Sequence, residues 1–121
     1  FSVFVINEML KWIDGIGGLT EMEKLNKKKA KKLYNEIERN PLFKSIVNVE
    51  DRSMMNVPFV FVDELMEDRD FLIFCEQRGL MTLKGHRSVG GFRASIYNSM
   101  PESGVDALIS AMQEYEISIS K

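Results

Sequence analysis

Between Met54 and Val62, Val57, Phe59 and Phe61 alternate with Asn56, Pro58 and Val60, which is the two-residue period of a strand with one buried face. A second strand-like stretch, Ser45 to Val49, comes shortly before it, and two more, Met81 to Lys84 and Phe92 to Tyr97, come later. Helical patterns separate the pairs of strands but do not alternate with single ones. That order predicts an α+β two-layer domain, with a short, mainly antiparallel sheet and helices packed on one face. Pro58 lacks the N–H a ladder needs, so its strand is expected at an edge or with a bulge.

The helices are read from three-to-four spacing. Val3, Phe4, Met9, Leu10, Trp12, Ile13 and Ile16 mark a first helix over Val3–Ile16, stopped by Gly15 and Gly17-Gly18. Thr20 and Glu23 form a capping-box pair, after which Met22, Leu25, Ala30, Leu33, Tyr34 and Ile37 repeat until Asn40-Pro41. The Lys27–Lys32 tract lies among Glu21, Glu23, Glu36 and Glu38 and is assigned to the solvent side of that helix. A third helix is expected from Asp63 to Arg78, with Leu65, Phe71, Leu72, Phe74 and Cys75 inward and Gly79 as its stop. The closing helix spans Glu102–Ile117, with Val105, Leu108, Ile109, Met112 and Tyr115 on one side.

A chain of 121 residues is of the usual size for one domain, and 45% hydrophobic with 28% charged residues is an ordinary globular balance. The formal net charge of -2 does not suggest a nucleic-acid partner, and no run approaches the roughly 20 apolar residues of a membrane-spanning helix. The single Cys75 reads as a small buried hydrophobe.

Chemistry concentrates in Leu83–Asn98. The only histidine, His86, stands beside Arg87 and seven residues before Arg93, with Gly90-Gly91 between and no acidic residue in the segment. Two guanidiniums and an imidazole suit a phosphate or carboxylate, so the segment reads as an anion pocket. Glycines tolerate positive φ, and Gly90-Gly91 is expected to turn the chain so that Arg93 returns toward His86 and Arg87. By itself His86 reads as an ordinary surface or packed histidine, and the alternative for Arg87 is a group that reaches a partner subunit or a structural carboxylate. Ser95, Tyr97, Asn98, Arg52, Ser53 and Asn56 are assigned structural roles.

The same segment resembles the phosphoserine aminotransferase family, pyridoxal-phosphate enzymes of the class-V aminotransferase group. The resemblance is carried by Leu83-Lys84-Gly85-His86-Arg87, Val89-Gly90-Gly91 and Arg93-Ala94-Ser95-Ile96-Tyr97-Asn98. Met100, Pro101, Gly104 and Val105 follow in step. Gly17-Gly18-Leu19, Asn26 with Ala30, Leu33-Tyr34, and Arg52-Ser53 leading into Met55-Asn56-Val57-Pro58-Phe59 extend it over nearly the whole chain.

The resemblance implies the small C-terminal domain of a fold-type I pyridoxal-phosphate-dependent transferase, residues 19–121, preceded by a connecting helix over 1–18. The chain is then expected to be a piece of a longer protein, as its start at Phe1 also suggests, with the large cofactor-binding domain missing. The implied reaction converts 3-phosphohydroxypyruvate and glutamate to phosphoserine and 2-oxoglutarate in serine biosynthesis. Some bacterial members also act on phosphohydroxythreonine on the route to vitamin B6. The implied parent is a cytoplasmic homodimer using pyridoxal phosphate.

By the same resemblance Arg93 grips the α-carboxylate, while His86 and Arg87 face the phosphate of phosphoserine or the side-chain carboxylate of glutamate. No catalytic residue is assigned, because the Schiff-base lysine lies outside this chain and Lys84 is not that residue. The isolated piece is expected to be inactive and to bind no pyridoxal phosphate. The alternative is a free-standing, non-catalytic module that binds a phosphorylated amino acid through the same three residues. An exposed apolar first helix, with Phe1, Phe4 and Trp12 outward, favours the fragment.

Overall fold

The computed structural model describes residues 1–120; Lys121, the last residue of the expected domain, lies outside them. Four α-helices and three strands follow in the order α1 (Ser2–Gly15), α2 (Gly18–Arg39), β1 (Phe43–Ser45), β2 (Asn56–Phe61), α3 (Asp68–Glu76), β3 (Phe92–Ser95) and α4 (Glu102–Ser120), with a 3-10 turn at Val49–Asp51. The sheet runs β1-β2-β3, antiparallel throughout. This is the expected α+β two-layer arrangement. Val57, Phe59, Phe61, Phe92 and Ala94 point from the sheet into one core with Ala30, Leu33 and Ile37 of α2, Phe71 and Cys75 of α3, and Val105, Leu108 and Met112 of α4.

An aromatic cluster fills the middle. The Phe71 ring centroid lies 4.9 Å from that of Phe92, 5.0 Å from Phe43 and 5.1 Å from Tyr115. Phe59, Phe71 and Phe92 are essentially inaccessible, and each such side chain contributes about 1.5–3 kcal/mol by leaving water. Cys75 is buried beside them, and desolvation pushes its thiol up to about 12, which makes it a packing group and a poor nucleophile.

Pro58 sits in the central strand, not at an edge, and the hydrogen-bond pattern explains how. Arg93, its partner on β3, donates its N–H away from β2, to the Leu83 carbonyl at 2.8 Å, so this rung needs no N–H from residue 58. On the other side, Val62 donates to Leu42 and the β1–β2 register runs through Lys44–Val60; the next bonded rung would require the missing N–H of Pro58. The ladder therefore stops, and β1 occupies Phe43–Ser45, earlier than the expected Ser45–Val49.

Other boundaries move for local reasons. Gly17 takes φ +114 and α2 begins at Gly18, so Thr20 is already inside the helix and the expected capping box makes no cap bond. Asp63 accepts the Leu65 N–H on its side chain and the Met66 N–H on its carbonyl; this turn delays α3 to Asp68 and leaves Leu65 89% exposed, not inward. Thr82 adopts φ +59, so Met81–Lys84 contributes only a single bridge, Lys84 to Phe92, in place of a strand.

The C-terminal end of α2 is tied to α4 through a buried carboxylate. Burial alone would raise the Glu36 carboxyl, but bonds from Arg39, Asn40 and Gln113 outweigh it and hold the group below the usual carboxylate range. Asn40 also donates to the Met112 carbonyl at 3.2 Å. At the other end of the fold, α1 packs on α2 with Ile13 as its one buried residue. Phe1 (100%), Phe4 (63%) and Trp12 (41%) stand exposed, as do Val3, Ile6 and Leu10. No helix among the described residues is long and apolar enough to cross a membrane.

Candidate functional site: the 83–98 hairpin and the open face of the sheet

The hairpin is built by its glycines. Gly85 donates to the Gly91 carbonyl at 2.9 Å, and Val89 and Gly90 both donate to the His86 carbonyl, at 3.0 and 2.8 Å. Gly90 and Gly91 take φ +73 and +66, so the pair turns the chain back as expected. Gly91 also packs tightly: a Cβ there would meet Val60 Cγ1 at 2.6 Å and the Phe59 carbonyl at 2.7 Å. Gly91→Ala is therefore expected to cost about 1–3 kcal/mol of stability. Gly79→Ala, at a similar φ but in open space, is expected to cost about 1 kcal/mol; urea unfolding of the two variants tests the difference.

His86 and Arg87 occupy the exposed tip. The His86 ring is set by its neighbours, with Nδ1 2.8 Å from Ser88 Oγ and accepting the Ser88 N–H at 3.3 Å, while Nε2 has no hydrogen-bond partner among the described residues. Arg93 lies on β3, on the sheet face turned away from the helices, in the row with Asn56, Pro58, Val60 and Ser95. It is half-buried, and its Nε is buried without a partner. No ion pair among the described residues involves Arg87 or Arg93.

The three basic residues thus share one hairpin, two at its tip and one in the strand that supports it. They do not line a closed pocket. Of the clefts that border the hairpin, one of about 390 Å³ is walled by Lys44, Val60, Asp68 and Gly91 among others, and one of about 280 Å³ by Leu80, Leu83, Ile96 and Leu108 among others; neither includes His86, Arg87 or Arg93.

Lys29 corrects the reading of the lysine tract as a solvated face. It is 3% exposed and donates to the carbonyls of Tyr97 and Met100, both at 2.9 Å, and of Ile96 at 3.4 Å. Desolvation lowers its ammonium below the usual lysine range. Asn26, equally buried, donates to Asn98 at 2.8 Å. Helical phase held the signal: Met22, Asn26, Lys29, Leu33 and Ile37 step by three or four along the buried stripe.

Sequence and structure comparisons bear on this arrangement. The pattern of the family described as aminotransferase class-V matches residues 1–108. The chain belongs to the class-V aminotransferase family. A phosphoserine aminotransferase of Azobacteroides pseudotrichonymphae is 49% identical to this class-V chain over 115 residues, 94% of the chain and 32% of the relative. One from Porphyromonas gingivalis is 45% identical over 117 residues, 96% of the chain and 32% of the relative. Among solved structures, the phosphoserine aminotransferase of Bacillus circulans subsp. alkalophilus superimposes with a TM-score of 0.92 at 40% identity, covering 98% of the class-V chain and 33% of that structure. The PLP-bound enzyme from Trichomonas vaginalis gives 0.83 at 52% identity, covering 88% and 31%. The class-V chain spans about a third of the length of these relatives.

Among the described residues of this class-V chain, no buried lysine has an amine free of partners. Pyridoxal phosphate needs a lysine amine free to condense with its aldehyde. Lys29 is the buried lysine, and its donors are committed to three carbonyls; Lys32 pairs with Glu102 and Asp106; Lys84 is exposed.

Proposed function

We propose that this chain is the small domain, residues 19–121, of a phosphoserine aminotransferase, joined through the helix within residues 1–18 to a larger part that carries the cofactor and its lysine. The parent interconverts 3-phosphohydroxypyruvate plus glutamate with phosphoserine plus 2-oxoglutarate, as a cytoplasmic homodimer. Within it this chain orients the substrate. Arg93 holds the α-carboxylate common to all four compounds; His86 and Arg87 receive the far end, phosphate in one half-reaction and carboxylate in the other.

The single observation that carries the reading is Arg93. It is a half-buried guanidinium on an open sheet face, with a buried Nε that has no partner and no carboxylate beside it. A cation left in that state suits a ligand that accepts two parallel N–H bonds, and fixing the carboxylate fixes the rotation of the Cα substituents before reaction. At the tip, two exposed cations on a turn tolerate either a dianion or a monoanion. The exposed apolar α1 supports the fragment over a self-contained binding module, since a free-standing domain has no use for Phe1, Phe4 and Trp12 in water.

Calorimetric titration of the chain with phosphoserine tests this. A half-site that needs the rest of the parent is expected to bind at millimolar affinity or weaker. Micromolar binding lost in Arg93→Ala would establish a self-sufficient sensor and overturn the reading.

A further inference from the structure

β3 is four residues long and lies at the sheet edge, with its outer side touching only the single Lys84 bridge and the Leu83 carbonyl. So short a strand needs fixing at both ends if a side chain on it is to be aimed. The hairpin holds its start. Its far end runs into the irregular segment 96–101, where Ile96 donates to the Met55 carbonyl at 2.8 Å. Gly104 of α4 donates to the Pro101 carbonyl at its end, at 3.0 Å, and the other hydrogen bonds on that segment from outside it, among the described residues, come from α2: Lys29 to Ile96, Tyr97 and Met100, and Asn26 to Asn98. An ammonium has three donors and no acceptor, so three converging carbonyls use its whole capacity. A buried apolar residue would fill the space without fixing any carbonyl.

We propose that Lys29 is a positioning residue of the substrate-anion site, setting the end of β3, and through it the reach of Arg93, by holding the carbonyls of Ile96, Tyr97 and Met100. This rests on the carboxylate-binding role proposed for Arg93. Lys29 itself touches no substrate.

The test uses the full-length parent carrying Lys29→Met, Lys29→Arg, Asn26→Ala, Arg93→Ala and, as a stability control, Ile37→Val two turns along α2. Lys29→Met is expected to raise KM for phosphoserine and glutamate roughly tenfold or more while kcat changes little, because misaimed binding groups weaken capture first. Lys29→Arg, which keeps the charge, is expected to restore part of the loss. Hydrogen exchange is expected to quicken at the amides of residues 93–100 in Lys29→Met and not in Ile37→Val. Unchanged KM and exchange in Lys29→Met, or an equal KM rise in Ile37→Val, would overturn the proposal. If Lys29→Met does not fold, Asn26→Ala and Lys29→Arg are read in the same way, and unchanged KM and exchange in both overturn it. Arg93→Ala separates the two levels: if it leaves KM unchanged, the site reading falls and takes this one with it, whereas a raised KM there with none in Lys29→Met removes only the role of Lys29.

Discussion

Arg93→Ala in the full-length parent is expected to lower kcat/KM by roughly 10²- to 10⁴-fold, and by similar factors for phosphoserine and glutamate. A hydrogen bond to a charged group is worth about 1.5–3 kcal/mol, and a bidentate pair about twice that; each 1.4 kcal/mol is about a factor of ten. The two donors share an α-amino carboxylate and differ at the far end. A group that holds the shared end must penalise both, and steady-state kinetics with each donor reads this directly. A loss confined to phosphoserine would place Arg93 at the phosphate and reverse its assignment with His86 and Arg87. Arg93→Lys is expected to recover little, since a single ammonium does not reproduce the planar fork.

Phe71→Ala is expected to destabilise the domain by about 3–5 kcal/mol, a large part of the total stability of a domain this size. Phe71 is fully buried, and its ring contacts those of Phe43, Phe61, Phe92 and Tyr115, which belong to β1, β2, β3 and α4. Rings locked by one another cannot collapse into the space, so the cavity persists. Calorimetric unfolding of wild type and variant measures the loss. A cost below about 1 kcal/mol would mean that the cluster repacks, and that the edge strand β3 does not depend on α3 for its support.

The two substitutions separate what was legible in the chain from what was not. Val57, Phe59 and Phe61 announced the core face of β2 because a strand has a period of two whatever it packs against. The basic character of the segment holding His86, Arg87 and Arg93, on which the proposed anion site rests, was equally local, since it follows from three basic groups and two glycines with no acid among them. Leu65 misled because the Asp63 turn competes with helix and wins before Asp68, a contest between side-chain and backbone bonding that apolar spacing does not record. Pro58 misled for a different reason. A proline is forbidden only where its N–H is required, and that depends on the register of both neighbours.

Lys29 and Asn26 mark the deeper limit. Both lie in the phase of the buried stripe, yet a lysine among lysines reads as solvated unless its partners are known, and those partners are backbone carbonyls some 70 residues away that any sequence would possess. The amino-acid sequence by itself thus determined the class of fold, the core faces of β2 and α4 and the basic character of the hairpin, because periodicity and side-chain charge are properties of neighbouring residues. The tertiary structure alone decided which lysine is buried, why a central strand accepts a proline, and that Arg93 stands unpaired on an open face. Each of those depends on which backbone groups and charges the rest of the chain brings alongside, and no local pattern encodes that.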